Sequence, residues 1–361
     1  MLAGATHEPA VRLAERLSAR AGGRLGHCFY ASDGASATEI ALKMSFHFWC
    51  NTGRPEKQTF CCLAGGYHGE TIGALSVTDI PIFRDAYGPM LRATTVLPSP
   101  DARNTASPVD AARKAAASLE AHLEAHHAGT AALIVEPLVQ CAAGMAMHDP
   151  EYLRLARVLC DRYEVHLICD EIAVGFGRTG TFFAHEQAGI TPDFLCLSKG
   201  ISGGYLPLSA VLTTDAIYEV FYDDATARGF LHSHYYTGNA LACRAALASL
   251  DIFEEDDVLA ANARRAQRID MGLLPLAGHP KVRHYRKRGM IFAFDVDADA
   301  GFVRRFAREA LDRELLLRPI GNTVYLMPPY ILTDGEIDFL CRTTLDTLDA
   351  ALLTHPNRPV M

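Results

Sequence analysis

The residue types most suited to chemistry in this chain stand directly after two apolar runs near its middle. The run VHLIC ends in two acids, Asp170 and Glu171, and the run FLCLS ends in an amine, Lys199. Ligands of a parallel α/β sheet bind outside the carboxyl ends of its strands, so neighbouring strands would present these groups to one crevice. A carboxylate and an amine placed in this way have the polarity needed to hold a pyridine ring at its nitrogen and at an aldehyde carbon.

Both residues also have a simpler explanation. Most lysines are solvated, and an aspartate after a strand is most often a helix cap. Here Lys199 follows an apolar run and precedes the glycine-rich GISGGY, beside a crevice where desolvation makes an amine nucleophilic. Asp170, paired with it across adjacent strands, suits a protonated pyridine nitrogen and keeps such a ring able to accept electrons.

Two turns carry further signals for a ligand. The small residues of SDGAS, between a strand and a helix, would expose the helix N-terminal amides of Gly34 and Ala35 to an anion. The segment GGYHG follows another apolar run; its glycines let the backbone approach a ligand, and Tyr67 could stack on a flat ring. Taken alone, these segments fit equally well an ordinary strand-to-helix turn and a tight turn around a buried tyrosine.

The elements that must position these residues alternate along the chain. Apolar spacing predicts helices over residues 9–20, 35–50, 111–127, 151–163 and 239–254. Strands are predicted at CFYAS, TFCCLAG, AALIVEP, VHLICDE, DFLCLSK and SAVLTT. This alternation predicts an α/β fold, with a mostly parallel sheet covered by helices.

The character of the chain changes near residues 254–257. We therefore expect a large ligand-binding domain over residues 1–255 and a small α+β domain over residues 256–361. The small domain is predicted to contain helices at 257–274 and 302–315, strands around IFAFDV, and a hairpin of LLLRPI with TVYLMPPY around Gly321-Asn322. Thr333 and Glu336 form a capping box that opens the last helix. The final residues, HPNRPVM, are predicted to be loose.

Composition and charge exclude several classes of protein. The chain has 361 residues, of which 49% are hydrophobic and 21% charged, as in globular proteins. The net charge of −8 argues against a nucleic-acid binder. No apolar stretch approaches the roughly 18 residues of a membrane span, and the N-terminus lacks the apolar core of a secretory signal. Ten cysteines, several inside apolar runs and none in a C-x-x-C pair, predict a reduced, cytoplasmic protein.

Together these motifs resemble the class III, fold-type I pyridoxal-phosphate aminotransferases over nearly the whole chain. The most specific segments are DEIAVGFGRTG, PDFLCLSKG, GGYHGET and HSHYYTGNALA. Within the class, IVEPLVQCAAGM, HSHYYTGN and RPIGNTVYLMPPY look closest to the adenosylmethionine–8-amino-7-oxononanoate aminotransferases of biotin synthesis. The resemblance implies pyridoxal 5'-phosphate as cofactor, 8-amino-7-oxononanoate and S-adenosylmethionine as substrates, 7,8-diaminononanoate as product, and a homodimer with shared active sites.

The resemblance also implies roles for individual residues in a ping-pong reaction. Lys199 would bond to the cofactor aldehyde and then carry the proton shift, with Asp170 at the pyridine nitrogen. Ile172 and Tyr67 would lie on the two ring faces, and Glu136 would orient groups nearby. The other cofactor contacts that it implies are Gly34, Ala35, His68, Tyr235 and Thr237. The substrate contacts that it implies are Tyr67, Arg178, Ser233, Arg318 and Tyr325.

The two arginines differ in how specific their signal is. The guanidinium fork of Arg318, in LLLRPIG, suits a substrate carboxylate, which it can bind through two parallel hydrogen bonds. For Arg178, a structural ion pair in the GFGRTG turn is an equal alternative to substrate contact.

The chain departs from the resembled family in two places. Family members usually begin well before this N-terminus, with a segment that adds aromatic residues to the substrate pocket. We therefore expect a truncated gene model or a start-site error, and weak turnover without that wall. The family also has Ser or Thr before the aromatic of Y-T-G-N, where its hydroxyl reaches the cofactor phosphate from the partner subunit. Tyr235 stands there, and its ring moves the hydroxyl outward; Thr237 is an alternative donor.

Other functions are compatible with parts of the sequence. One alternative is a class III enzyme acting on ω-amino acids or polyamines, and another is a catalytically silent homologue. A dinucleotide-dependent dehydrogenase is disfavoured because no G-x-G-x-x-G follows an early strand. His232 and His234 could bind a metal, but no Cys or carboxylate completes a ligand set, so we predict no metal site. The amino donor stays open between adenosylmethionine and lysine.

Overall fold

The structure, a computed structural model, describes residues 4–353. Residues 1–3 and 354–361, which include the predicted loose tail HPNRPVM, lie outside the described residues. Of the described residues, those up to Gly177 and Thr181–Asp256 form one compact unit, called the first unit. Arg178–Gly180 and the residues from Asp257 onward form the second unit.

Strands and helices are numbered in chain order. The strands are β1 (His27–Ala31), β2 (Thr59–Leu63), β3 (Thr94–Leu97), β4 (Thr130–Val135), β5 (Val139–Gln140), β6 (Ala146–Met147), β7 (His166–Asp170), β8 (Phe194–Leu197), β9 (Ser209–Thr213), β10 (Val282–Arg288), β11 (Ile291–Val296) and β12 (Thr323–Leu326). The helices are α1 (Glu8–Arg20), α2 (Gly34–Asn51), α3 (Ile72–Ser76), α4 (Pro81–Arg84), α5 (Pro108–His126), α6 (Glu151–Arg162), α7 (Asp215–Tyr218), α8 (Ala240–Glu255), α9 (Val258–Leu273), α10 (Phe302–Leu311) and α11 (Asp334–Leu353).

The first unit is built around a seven-stranded sheet in the order β1-β9-β8-β7-β4-β2-β3. The pairs from β8 to β3 are parallel, and β9 is antiparallel to both of its neighbours. Every strand except β9 therefore ends at the same edge of the sheet, called here the carboxyl edge; the opposite edge is the amino edge. The predicted mostly parallel sheet is confirmed.

The central strands read as continuous apolar runs because both faces of the sheet are covered. Every residue of β4, β7 and β8 is buried. Ile40 and Met44 of α2 share one core cluster with Ile168 and Phe194 of the sheet. Full burial of each such side chain contributes about 1.5–3 kcal/mol, and this cluster fixes α2 against the strands that carry the site.

The second unit has its own antiparallel sheet, in the order β10-β11-β12. Its core includes Phe292, Phe294, Phe302 and Phe306, all fully buried. The predicted capping box at α11 is present: the Thr333 amide donates to Glu336 Oε2 at 2.7 Å, and the Glu336 amide donates to Thr333 Oγ1 at 3.4 Å.

The predicted hairpin in the second unit is wrong in its first strand. The turn at Gly321-Asn322 is present, because Ile320 and Thr323 exchange backbone hydrogen bonds of 2.9 and 3.0 Å. The segment LLLRPI before it is not a strand, and β12 pairs with β11 instead. Pro319 has no N–H to donate to a ladder, and Leu316, at 82% exposed, does not face the core.

The cysteines behave as small hydrophobic residues. All ten are free, and Cys61, Cys62, Cys169 and Cys196 are fully buried in β2, β7 and β8. No helix within residues 4–353 combines the length and the apolar character that crossing a membrane requires.

Candidate active site

Three strands of the first unit bring ionisable groups to the carboxyl edge. Asp170 is the last residue of β7, Glu136 follows β4, and Lys199 comes two residues after the end of β8. Asp170 pairs with Cys196 across β7 and β8, so Lys199 lies only three positions beyond the partner of Asp170. The structure thus brings the carboxylate and the amine of the sequence prediction to adjacent strand ends.

Both carboxylate oxygens of Asp170 have a hydrogen-bond partner. Its side chain is buried, with Oδ2 2.7 Å from His68 Nδ1, and Oδ1 accepts from the Ile172 amide at 3.1 Å. Because a carboxylate only accepts, Nδ1 is the donor. His68 is itself fixed: its amide donates to Thr78 Oγ1 and its carbonyl accepts from Thr38 Oγ1, both at 2.9 Å. The negative charge is therefore held at a defined position.

The second ring nitrogen of His68 is unpaired among the residues that the structure describes. Nε2 is buried and makes no hydrogen bond to any residue between 4 and 353. An unsatisfied buried polar atom is costly and calls for an explanation, such as a water or a ligand at the site.

Lys199 is exposed and its backbone is strained. Its φ of +44° lies in the left-handed region that non-glycine residues rarely adopt, and it begins a single 3₁₀ turn, Lys199–Ser202. The turn is anchored by Ser198, whose hydroxyl donates to the Leu208 carbonyl at 2.9 Å. A Cβ at Gly200 would lie 2.8 Å from Phe176 Cβ, so only glycine fits after the lysine. Strain of this kind is concentrated at functional sites.

The N-terminus of α2 forms another wall of the carboxyl edge. Asp33 caps the helix by accepting from the Ser36 amide at 2.9 Å, which leaves the amides of Gly34 and Ala35 among those without an intrahelical acceptor. A Cβ at Gly34 would lie 3.0 Å from Ile172 Cγ2, so α2 and the loop after β7 touch here. The predicted anion site and the predicted ring-face residue Ile172 are therefore neighbours.

Tyr67 and His68 follow β2 at the same edge. Tyr67 is half-buried, its hydroxyl donates to Glu70 Oε1 at 2.8 Å, and its ring centroid lies 5.4 Å from that of Phe83. Burial, together with Glu70, raises the pKa of Tyr67 to about 12, so the phenol is neutral. The Tyr67 side chain is therefore partly exposed, and its ring contacts Phe83 on one side.

Sequence reasoning missed the fate of the second acid, Glu171. Its side chain is fully buried; Oε1 lies 2.7 Å from both the amide and Nδ1 of His185, and Oε2 accepts from the Ala184 amide at 2.5 Å. Burial disfavours the charged imidazole, but Glu171 outweighs that effect and raises the pKa of His185. Alternation along an extended backbone is the one signal that could have separated Asp170 from Glu171.

The segment with Ser233, Tyr235 and Thr237 lies at the surface of the first unit. Ser233 is exposed, and Tyr235 is 91% exposed. The Thr237 hydroxyl accepts from the His234 amide at 3.2 Å. His232, the first histidine of the H-x-H pair, lies 2.9 Å from Lys43 Nζ, and its Nε2 lies 3.0 Å from that of His234.

Three predicted substrate contacts belong to the second unit. Arg178 donates to the Pro328 carbonyl at 2.8 Å, and its guanidinium lies 4.4 Å from the centroid of the Tyr330 ring. Arg318 is exposed, and Tyr325 is half-buried on β12, opposite Ala293 of β11.

The sequence profile of the Aminotransferase class-III family matches residues 1–348, and the chain belongs to that family. It is similar to the adenosylmethionine-8-amino-7-oxononanoate aminotransferase of Helicobacter pylori, with 44% identity over 97% of this chain and 80% of the relative. The enzyme of that name from Geobacter sulfurreducens is 39% identical, over 94% and 78% of the two chains. The resemblance predicted from the motifs is confirmed.

Solved structures give the same class of fold. An amine transaminase from an uncultivated Pseudomonas species, in a PLP-bound form, matches with a TM-score of 0.91 and 33% identity, over 98% of this chain and 82% of that chain. The adenosylmethionine-8-amino-7-oxononanoate aminotransferase of Methanocaldococcus jannaschii matches with a TM-score of 0.90 and 32% identity, over 97% and 81%. The predicted fold-type I architecture is confirmed.

Proposed function

We propose that this chain is a pyridoxal-phosphate-dependent aminotransferase that converts 8-amino-7-oxononanoate into 7,8-diaminononanoate, with S-adenosylmethionine as amino donor. The observation that carries the chemistry is the adjacent placement of buried Asp170 and exposed Lys199 at the carboxyl edge. The substrate assignment rests on relatives of that name, the first at 44% identity over 97% of the chain. We place the cofactor in the first unit and the reaction in the cytoplasm, which ten free cysteines support.

The residues at the carboxyl edge fit this cofactor. Asp170 offers an oriented carboxylate for a protonated pyridine nitrogen, since His68 and the Ile172 amide fix both of its oxygens. Gly34 and Ala35 offer N-terminal amides of a long helix to the phosphate. Ile172 and Tyr67 would cover the two ring faces. When bound, pyridoxal phosphate supplies an electron sink for the carbanion formed at the amino-bearing carbon.

The chain's own residues would divide the work. Lys199 Nζ would hold the cofactor covalently and would then remove or return the proton at the amino-bearing carbon of the bound substrate. Its exposed position and strained turn leave the amine free to change partners. His68 would keep Asp170 oriented, and the neutral Tyr67 phenol would line the substrate side.

On the strength of the family resemblance, we also propose Ser233, Arg178, Arg318 and Tyr325 as substrate contacts. The exposed Arg318 guanidinium suits the carboxylate of the nonanoate chain, because it can bind both oxygens in parallel. Arg178 already donates to the Pro328 carbonyl, which favours an orienting role over a direct one.

We also propose a homodimer with shared active sites. Three side chains that are close together in sequence and rich in apolar surface are largely exposed: Leu231 at 73%, Tyr235 at 91% and Tyr236 at 68%. Exposed apolar groupings of this kind mark interaction sites. A second copy would cover them and bring Tyr235 and Thr237 to the partner's cofactor phosphate.

The decisive experiment compares acceptors and donors with the purified holoenzyme. We expect product only from 8-amino-7-oxononanoate, with S-adenosylmethionine preferred over lysine as donor. The alternative, an ω-amino acid or polyamine transaminase, is favoured by the 33% identity to an amine transaminase; faster turnover of an amine with pyruvate would establish it. If S-adenosylmethionine leaves the cofactor absorbance unchanged, the proposed donor is wrong; if no amine changes it, the chain is a silent homologue.

A further inference from the structure

Glu136 is a buried residue at the carboxyl edge, and the two oxygens of its carboxyl group have different surroundings. It follows β4 directly, and the residue is only 5% exposed. The backbone amides of Tyr67 and Cys141 lie beside its carboxyl group and favour its charged form. Its Oε2 atom is buried and has no hydrogen-bond partner within the described part of the chain. One carboxyl group therefore lies beside the loops that follow β2 and β5, with one buried oxygen that no described residue satisfies.

The surroundings of Glu136 as a whole disfavour its ionisation. Burial is the largest cause and the negative charge of Asp170 the next, and together they raise the pKa of Glu136 well above its usual range. Lys199 and the amides of Tyr67 and Cys141 act in the opposite direction but do not outweigh them. Two carboxyl groups this close do not both ionise readily in a site with little water.

The hydrogen bonds of the two carboxyl groups indicate which one carries the proton. Both oxygens of Asp170 accept a hydrogen bond, from His68 Nδ1 and from the Ile172 amide, so that group is solvated by protein as an anion. The unpartnered Oε2 of Glu136 has no such support. Neighbouring carboxyl groups whose environments separate their proton affinities commonly divide the acid and base roles.

We propose that Glu136 is a neutral, proton-carrying positioning residue of this active site. In this proposal, its side-chain Oε1 atom accepts from the amides of Tyr67 and Cys141. Its Oε2 hydroxyl donates a hydrogen bond to the ligand bound beside Lys199. The site then contains one carboxylate, Asp170, instead of two, so a protonated pyridine nitrogen is drawn to that residue alone. This inference rests on the proposed cofactor chemistry, but not on the identity of the oxononanoate substrate.

The test uses matched amide variants of the two carboxyl groups. Glu136→Gln has the shape and neutrality of the protonated acid and keeps a hydrogen-bond donor, so we expect its loss of cofactor affinity to be at least about tenfold smaller than that of Asp170→Asn. Asp170→Asn makes the same chemical change at the neighbouring residue, and we expect cofactor affinity to fall at least about 100-fold, as for the loss of one member of a buried charge pair. Cofactor affinity is measured by absorbance titration of the apoenzyme.

A third variant separates positioning from mere bulk. Glu136→Leu fills the space but cannot accept from the amides of Tyr67 and Cys141, and we expect at least about tenfold weaker cofactor binding, since buried donors lose their partner. If Glu136→Gln weakens cofactor binding as much as Asp170→Asn does, the residue works as an anion and the proposal is overturned. If Glu136→Leu binds like wild type, the positioning role is overturned.

Two measurements on the apoenzyme report the proton directly. The infrared spectrum of wild type near neutral pH should contain a protonated carboxyl band that Glu136→Gln lacks; its absence from wild type contradicts the proposal. Above the ordinary glutamate pKa, the unfolded state would release the Glu136 proton while the folded state keeps it. The free energy of unfolding therefore falls as pH rises. We therefore expect the unfolding temperature of wild type to drop relative to Glu136→Gln between about pH 5 and pH 8. If wild type passes these tests but does not convert the oxononanoate, only the substrate assignment fails.

Discussion

The two edges of the large sheet both contain a lysine, but in opposite environments. At the amino edge, Lys57 is fully buried, and its Nζ donates to the carbonyls of His127, Thr130 and Glu164 at 2.7, 3.0 and 2.8 Å. Those bonds use every donor of the ammonium group. At the carboxyl edge, Lys199 is exposed on a strained turn.

The buried polar atoms at the two edges also differ in how far their hydrogen-bonding capacity is satisfied. At the amino edge, Lys57 packs against the Trp49 ring and ties the segments that lead into β4 and β7. At the carboxyl edge, His68 Nε2 and Glu136 Oε2 are buried without a partner in the described residues. Satisfied buried groups stabilise a fold, whereas unsatisfied ones at a crevice indicate a site that a ligand completes.

Replacing Lys199 should separate activity from stability most clearly. We expect Lys199→Ala to lose at least about a thousandfold in kcat/KM, because the amine that bonds the cofactor and carries the proton is gone. The free energy of unfolding should stay within about 0.5 kcal/mol of wild type, since the side chain is exposed. Activity assays and urea unfolding check the two halves; retained turnover would remove Lys199 from the mechanism.

Replacing Lys57 should give the reverse result. We expect Lys57→Met to destabilise the protein by about 3 kcal/mol, because carbonyls that the ammonium satisfied become buried without it. Burial lowers the pKa of Lys57 to about 8, so the group is charged at neutral pH and all its hydrogens are engaged. Turnover per folded molecule should match wild type. A Lys57→Met protein as stable as wild type would contradict the structural role of Lys57 and, with it, the contrast between the two edges.

Removing the imidazole beside Asp170 should have an intermediate effect. His68→Leu deletes the donor at 2.7 Å from Asp170 Oδ2, and we expect cofactor affinity to fall about 10- to 100-fold, the range for losing a hydrogen bond to a buried charge. His122→Leu, on α5, removes an imidazole elsewhere and serves as the control. Equal affinities of the two variants would show that Asp170 needs no orienting partner.

The smallest expected effect concerns the satisfied ion pair at the carboxyl edge, Glu171 with His185. The raised pKa of His185 means that the folded state binds a proton more tightly than the unfolded state does. The stabilisation is complete below about pH 6.5 and is lost as pH rises through the folded pKa. Unfolding temperatures of wild type and His185→Gln should therefore converge on the alkaline side. A constant difference across that range would mean that the pair is not charged.

Prediction from the sequence succeeded where the signal was local. The apolar runs of β4, β7 and β8 and the capping box of α11 depend on neighbouring residues, and the sequence predicts them. LLLRPI was taken for a strand because its apolar content outweighed Pro319. The edge strand β3 was not predicted, since it has only four residues, of which one is buried.

The site shows the same division. Asp170 and Lys199 could be paired from sequence because sheet topology sends neighbouring parallel strands to one edge. The contact between His68 and Asp170, 102 positions apart, and those of Lys57 with carbonyls 70 to 107 positions away could not. No local pattern encodes which distant backbone atoms meet a side chain.

The sequence by itself determined the family, the mostly parallel sheet and the residue types at its strand ends, because hydrophobic periodicity and motif spacing act over a few residues. Only the tertiary structure decided that Glu171 faces His185 while Asp170 faces His68, and that Glu136 is buried beside them. Those outcomes depend on how segments far apart in the chain pack, and packing sets the burial and the partners that fix where each charge or proton resides.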